Sequence, residues 1–75
     1  MPKKCLVYYG YSRVVDEDHI YYNHYDFNIV IVFDLIVQDV KFIHDDTDLA
    51  FAVNRDELSA VFEQVMELGW WIIWN

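Results

Sequence analysis

The sequence predicts an α+β fold: a small antiparallel or mixed sheet of four or five strands, one α-helix packed on one face, and a final strand after that helix. Three observations predict it. Apolar residues between Leu58 and Leu68 recur at helical spacing, shorter runs rich in β-branched and aromatic residues alternate with polar turns before them, and Trp70-Trp71-Ile72-Ile73-Trp74 follows Gly69.

The elements follow in order. Lys4 to Val15 reads as a first strand, with Gly10 as a bulge or close-contact point, and Asp16-Glu17-Asp18 as the turn that ends it. His19 to Tyr25 reads as a second strand and Phe27 to Val37 as a longer apolar one, with Asn23 or Asp26 breaking them apart. Val40 to Ile43 and Leu49 to Val53 are both strand-like, separated by His44-Asp45-Asp46-Thr47-Asp48.

The helix is expected over Arg55 to Leu68, with Leu58, Val61, Phe62, Val65, Met66 and Leu68 as its apolar series. Asn54 can accept a bond from a first-turn N–H, Glu57 can reach back to it, and Val53 can pack on Leu58 as a hydrophobic staple. Gly69 supplies the left-handed residue that commonly ends a helix. The five large residues after it show no polar alternation, so that strand wants cover on both faces.

One domain over residues 1–75 is expected, since a chain of 75 residues has no room for two. A core of this size supplies roughly 3–5 kcal/mol, and the usual staples are missing: Cys5 is the only cysteine, and no Cys/His spacing suggests zinc. Packing or self-association must then stabilise it. With 56% hydrophobic and 19% aromatic residues the chain is too apolar to be a disordered acidic tail, despite a net charge of -8. The longest apolar stretch, Ile29 to Val37, is under half the roughly 20 residues of a membrane helix, and no small-residue cleavage site follows the basic start. A cytoplasmic protein without membrane association is expected.

Charge is unevenly placed. Residues 16 to 48 carry nine acids against Lys41 alone, and only five basic residues stand against thirteen acids in all, so direct nucleic-acid binding is not expected. The densest clusters are Asp16-Glu17-Asp18 and Asp45, Asp46 and Asp48. Neither has the layout of a calcium loop, and solvated turns are the commoner use of such residues. On the helix Asp56, Glu63 and Glu67 form one stripe, with Ala60 between them and no lysine four residues away. These nine acids are the candidate partner-binding residues.

A second candidate surface is apolar. The aromatics exceed what one helix can cover in so small a domain, so Tyr8, Tyr11, Tyr21, Trp70, Trp71 and Trp74 are expected to line a homodimer or subunit interface. His19, His24 and His44 match no ligand spacing, and five positions put His19 and His24 on opposite sides of a regular strand. Asp34, inside its apolar run, reads as a bulge, a bend or a solvent-facing position, because an unpaired buried charge is costly. No phosphate loop, nucleophile elbow or carboxylate pair points to catalysis, and no cofactor or metal is expected.

The leading expectation is a non-enzymatic binding protein, of phage or mobile-element kind, whose acidic and DNA-mimicking surface blocks the basic nucleic-acid site of a host protein. In size and acidity the chain resembles small phage-encoded inhibitors that occupy DNA-binding sites of host enzymes, though no motif carries the likeness. The rival is a structural interaction module or homodimeric subunit joined by the aromatic sheet face. Adaptation to high salt, which also favours acidic surfaces, is a third account of the charge.

The capping assignment makes a direct prediction. Asn54→Ala should destabilise the domain by about 1 kcal/mol, read as a lower melting temperature, and an unchanged melt would place the helix start elsewhere.

Overall fold

In the computed structural model the described residues are 5–44 and 55–70. In chain order they form a short 3-10 helix, Leu6–Tyr9, then β1 (Tyr11–Val15), β2 (His19–His24), β3 (Ile29–Asp34), β4 (Asp39–His44) and α1 (Arg55–Glu67). The strand order is β1-β2-β3-β4 with every neighbouring pair antiparallel, a meander in which each strand returns beside the last. The expected strand Leu49–Val53, the cap Asn54, the acids Asp45, Asp46 and Asp48, and Trp71 to Trp74 lie outside the described residues.

Cross-strand partners point to the same side of a sheet, so the register assigns the two faces. On the inner face Arg13, Tyr22, Ile31 and Phe42 stand in one row, and Val15, Ile20, Phe33 and Val40 in the next. Tyr11 begins a further row opposite His24. The core joins Tyr11, Ile20, Tyr22, Ile29, Ile31 and Phe33 to Leu6 and to the helix side, Ala60, Val61, Val65 and Trp70.

Three contacts fix the direction of α1. Near its start the Tyr11 hydroxyl on β1 donates to Glu57 Oε2 at 3.1 Å. In its third turn Gln64 Oε1 accepts from the Tyr22 hydroxyl on β2, and Tyr22 in turn accepts from Arg13 Nε at 3.1 Å. Just past its end the Trp70 ring lies 6.3 Å from Phe33 on β3. These anchors step from β1 to β2 to β3 and through successive rows, so the helix runs obliquely across the inner face. Its C-terminus points toward the end of the sheet that carries the β1–β2 and β3–β4 turns.

Gly69 ends the helix as expected, at a φ of 79°. Its N–H donates to the Met66 carbonyl and that of Trp70 to the Val65 carbonyl, the paired bonds of a Schellman motif, with Trp70 and Val65 both buried. The expectation that Trp70 begins a strand is therefore corrected: it lies in the turn that closes α1.

Three further expectations change. Lys4 to Val15 is not one strand, because Leu6–Tyr9 coils into a 3-10 helix that drives Leu6 into the core. The change of direction falls at Gly10, whose φ of 93° favours glycine, and a Cβ there would stand 3.3 Å from His24 Nε2. Phe27 to Val37 is also shorter as a strand. Asp34 Oδ1 accepts from the N–H groups of Ile36 and Val37, and this side-chain turn stops β3, leaving Ile36 and Val37 exposed. Asp34 thus marks a bend, one of the readings its position suggested.

The third change is the rotation of the helix. Leu58, Phe62 and Met66 were expected in the core, yet they are 42, 59 and 56% exposed, while Glu57 is buried at 5% beside Ala60, Val61 and Val65. The polar anchors decide this. A buried phenol and a buried carboxylate are tolerated only when they are paired, and turning Leu58 and Phe62 inward would swing Glu57 and Gln64 away from Tyr11 and Tyr22.

Burial, reinforced by the charge of Glu57 and the hydrogen bond to it, raises the Tyr11 phenol well above its ordinary 10.0. Burial also raises Tyr22, against the opposing hydrogen bond and charge of Arg13. A phenol that ionises less readily folded than unfolded contributes stability that is complete below the unfolded value and lost as pH rises above it. The wild type should therefore lose stability as pH climbs past about 10. Tyr11→Phe should flatten that limb in urea titrations across the alkaline range; an equally steep limb would place Tyr11 in contact with water.

Candidate functional site

Among the described residues, the clearest concentration of charge lies where the β1–β2 and β3–β4 turns meet at one end of the sheet. In the first turn Asp16 Oδ1 accepts from the N–H groups of Asp18 and His19, both at 2.8 Å, and the Asp16 N–H donates to the His19 carbonyl at 3.0 Å. Asp34 builds the second turn in the same way, through Ile36 and Val37. The two turns are tied together, since the Leu35 N–H donates to the Asp18 carbonyl at 2.8 Å.

His19 sits between them. Its Nδ1 lies 3.7 Å from Asp16 Oδ1 and its Nε2 3.5 Å from Asp34 Oδ2, and its ring stacks on Tyr21 with centroids 5.4 Å apart. Asp39 is the register partner of Asp34 and is exposed. Asp16, Glu17, Asp18, Asp34 and Asp39 therefore form one acidic pole on a framework of side-chain-capped turns. The Asp18 N–H bond is the largest influence and holds Asp16 below the ordinary carboxylate range; desolvation opposes it, and the His19 N–H and ring add to the lowering. For Asp34 the Val37 N–H bond is the largest lowering influence, opposed by desolvation and joined by Ile36, His19 and Lys41.

The helix adds to this pole by its direction. Its C-terminal end, which carries the negative end of the macrodipole and Glu67, points toward these turns. Asp56 lies at the opposite end, near the Tyr11 anchor, so the stripe of Asp56, Glu63 and Glu67 is graded toward the pole rather than spread over one surface. Ala60, expected within that stripe, is buried. Asp45, Asp46 and Asp48 are outside the described residues.

The residues expected to form an apolar interface separate. Tyr11 and Trp70 are buried in the chain's own core, at 0 and 3% exposure, and so form no part of a free surface. Tyr8 is exposed on the 3-10 helix, Tyr21 is half-buried on the outer sheet face, and Trp71 and Trp74 are outside the described residues. That outer face mixes Val14, Tyr21, Val30 and Ile43 with Ser12, Asn23 and Lys41 rather than presenting an aromatic surface.

His24 faces inward, opposite to His19. Its Nδ1 accepts from the N–H groups of Asp26 and Phe27, which places its proton on Nε2 and makes it a structural part of the β2–β3 turn. Among the described residues no group of three or more His, Cys, Asp or Glu side chains is arranged to hold a metal ion, and no helix is long and apolar enough to cross a membrane. No protein-family model, curated protein or solved structure matches the chain.

Sequence reasoning did not place His19, Asp34 and Asp39 in the acidic site. The available signal was the four-residue spacer between Asp34 and Asp39, which makes them opposite ends of a hairpin turn once Asp34 is read as a turn cap. Carboxylates lowered on folding contribute stability present above their ordinary value of 3.8 and lost as pH falls through their folded values. Asp34→Asn keeps the turn acceptor without the charge, so it should melt closer to wild type at pH 7 than Asp34→Ala. Equal losses from both would mean that the charge, not the turn bond, holds this end together.

Proposed function

We propose that the chain is a non-enzymatic binding protein whose acidic pole occupies a basic surface of another protein. The observation that supports this reading is the convergence of Asp16, Glu17, Asp18, Asp34 and Asp39 on two turns that share the Leu35 to Asp18 bond. Asp16 and Asp34 cap their own turns and are held in place, so at these two positions an incoming cation meets carboxylates whose ordering cost is already met. The helix C-terminus extends the negative field from the inner side. Such an array attracts a basic patch over about a Debye length and speeds encounter more than it slows release.

The partner that fits is a nucleic-acid-binding protein, whose basic groove is built to take closely spaced anions, and the chain would act there as a DNA-mimicking inhibitor. A phage or mobile-element role and a cytoplasmic location belong to the same proposal. The rival, a subunit joined by an aromatic sheet face, loses Tyr11 and Trp70 to the core.

The test uses Glu17→Lys, Asp18→Lys and Asp39→Lys together, which spares the two turn caps. Against a partner isolated by affinity capture, the triple variant should associate at least about tenfold more slowly at 50 mM salt, with the gap closing near 0.5 M. Duplex DNA added to the partner should compete with the wild-type chain. Unchanged association at low salt, or simultaneous binding of DNA, would contradict the reading.

A further inference from the structure

The three turns that join β1 to β4 are closed by a side chain in the same way. Asp16 accepts from the N–H groups two and three residues on, at 2.8 Å each, Asp34 does so at 2.9 and 3.1 Å, and His24 does so through Nδ1 at 3.0 and 3.2 Å. The acceptors differ in chemistry. A carboxyl oxygen still accepts when its other oxygen holds a proton, and Asp16 and Asp34 are in any case held below the ordinary carboxylate range. Imidazole Nδ1 has one lone pair, and a proton there removes it.

We propose that His24 is a proton-operated latch on the β2–β3 turn. Neutral, it holds the turn shut; protonated, it releases the turn while the two aspartate-capped turns at the opposite end of the sheet stay closed. The two bonds to Nδ1 require that the neutral ring carry its proton on Nε2. In the imidazolium both nitrogens donate, so a donor faces the donors of Asp26 and Phe27, and no rotation of the ring restores an acceptor. The contribution of these bonds is complete while the ring is neutral and is lost as pH falls and the ring takes up its proton.

The ring is placed to join the turn to the start of β1. Its centroid lies 4.7 Å from that of Tyr11, edge to face, and 4.9 Å from that of Phe27, and a Cβ at Gly10 would stand 3.3 Å from Nε2. The Gly10 carbonyl in turn accepts from the Tyr25 N–H at 2.9 Å. The titratable groups around the ring are Tyr11 on β1 with Glu57 of α1 bonded behind it, Tyr25 and Asp26 in its own turn, Tyr8 and Tyr9 on the 3-10 helix, and His44, opposite Ile29 on β4. Their charges bear on the pH at which the ring takes up its proton, and not on which bonds it then loses. The latch does not depend on what the acidic pole binds.

The experiment is a pH titration of the isotope-labelled full chain by nuclear magnetic resonance, from about pH 8 to about pH 5, the range in which histidines change charge. At the upper end the ring signals of His24 should show the proton on Nε2. As the ring protonates, protection of the Asp26 and Phe27 amides against exchange with water, corrected for the intrinsic effect of pH, should fall at least about fivefold. The Asp18, His19, Ile36 and Val37 amides should keep theirs. His24→Asn offers an amide oxygen that accepts from the same two N–H groups and does not titrate, so its Asp26 and Phe27 amides should be equally protected at both ends of the range. The wild-type titration decides the matter by itself if that variant does not fold. A proton on Nδ1 at the upper end, a ring that stays neutral to the lower end, or unchanged protection of the Asp26 and Phe27 amides as the ring protonates would each overturn the proposal. So would an equal loss at the two aspartate-capped turns, or an equal loss in folded His24→Asn.

Discussion

The hydrogen bond from Tyr11 to Glu57 is the constraint on which the rest of the arrangement depends. It joins the first strand to the first turn of the helix across 46 positions of sequence, and both side chains are buried. A phenol and a carboxylate removed from water need partners, and each meets one in the other. Once Glu57 is committed to Tyr11, the azimuth of α1 is set. Gln64, two turns later, falls on Tyr22, and Trp70 on Phe33.

That azimuth explains which surfaces the molecule shows. Leu58, Phe62 and Met66 lie outside because Glu57 and Gln64 lie inside. The oblique course of the helix sends its negative end toward the two acidic turns rather than toward the β2–β3 turn. Polar groups thus fall into two sets. One is buried and holds the helix to the sheet, and the other caps turns at a pole facing water. The Asp16 and Asp34 carboxylates each fix a turn through one oxygen and face His19 and solvent as charges.

Much of the fold was legible in the sequence. Gly69 ended the helix where expected, β2 began at His19, and β4 lay within a residue of its expected bounds at each end. These positions are governed by local rules of spacing and turn chemistry. The misplacements share another cause. Apolar spacing alone assigned Leu58 and Phe62 to the core, because a hydrophobic pattern does not reveal that a glutamate has a buried tyrosine waiting for it on a distant strand. Leu6 to Tyr9 has strand-like composition, and only Gly10 hinted that the chain would turn there. At the candidate site, Asp16 to Asp18 stood out as a local cluster, whereas Asp34 and Asp39 joined it only through hairpin register.

The dependence of the helix azimuth on this bond is tested most directly by a double-mutant cycle between Tyr11 and Glu57, with unfolding free energies measured for Tyr11→Phe, Glu57→Met and the pair. Each single change removes a partner from a buried polar group and should cost about 1–3 kcal/mol. The double variant should cost less than the sum by at least about 1 kcal/mol, because it leaves neither group of the pair behind. Additivity to within about 0.5 kcal/mol would contradict the account, since it would mean that the two side chains do not depend on each other and that something else sets the rotation of the helix.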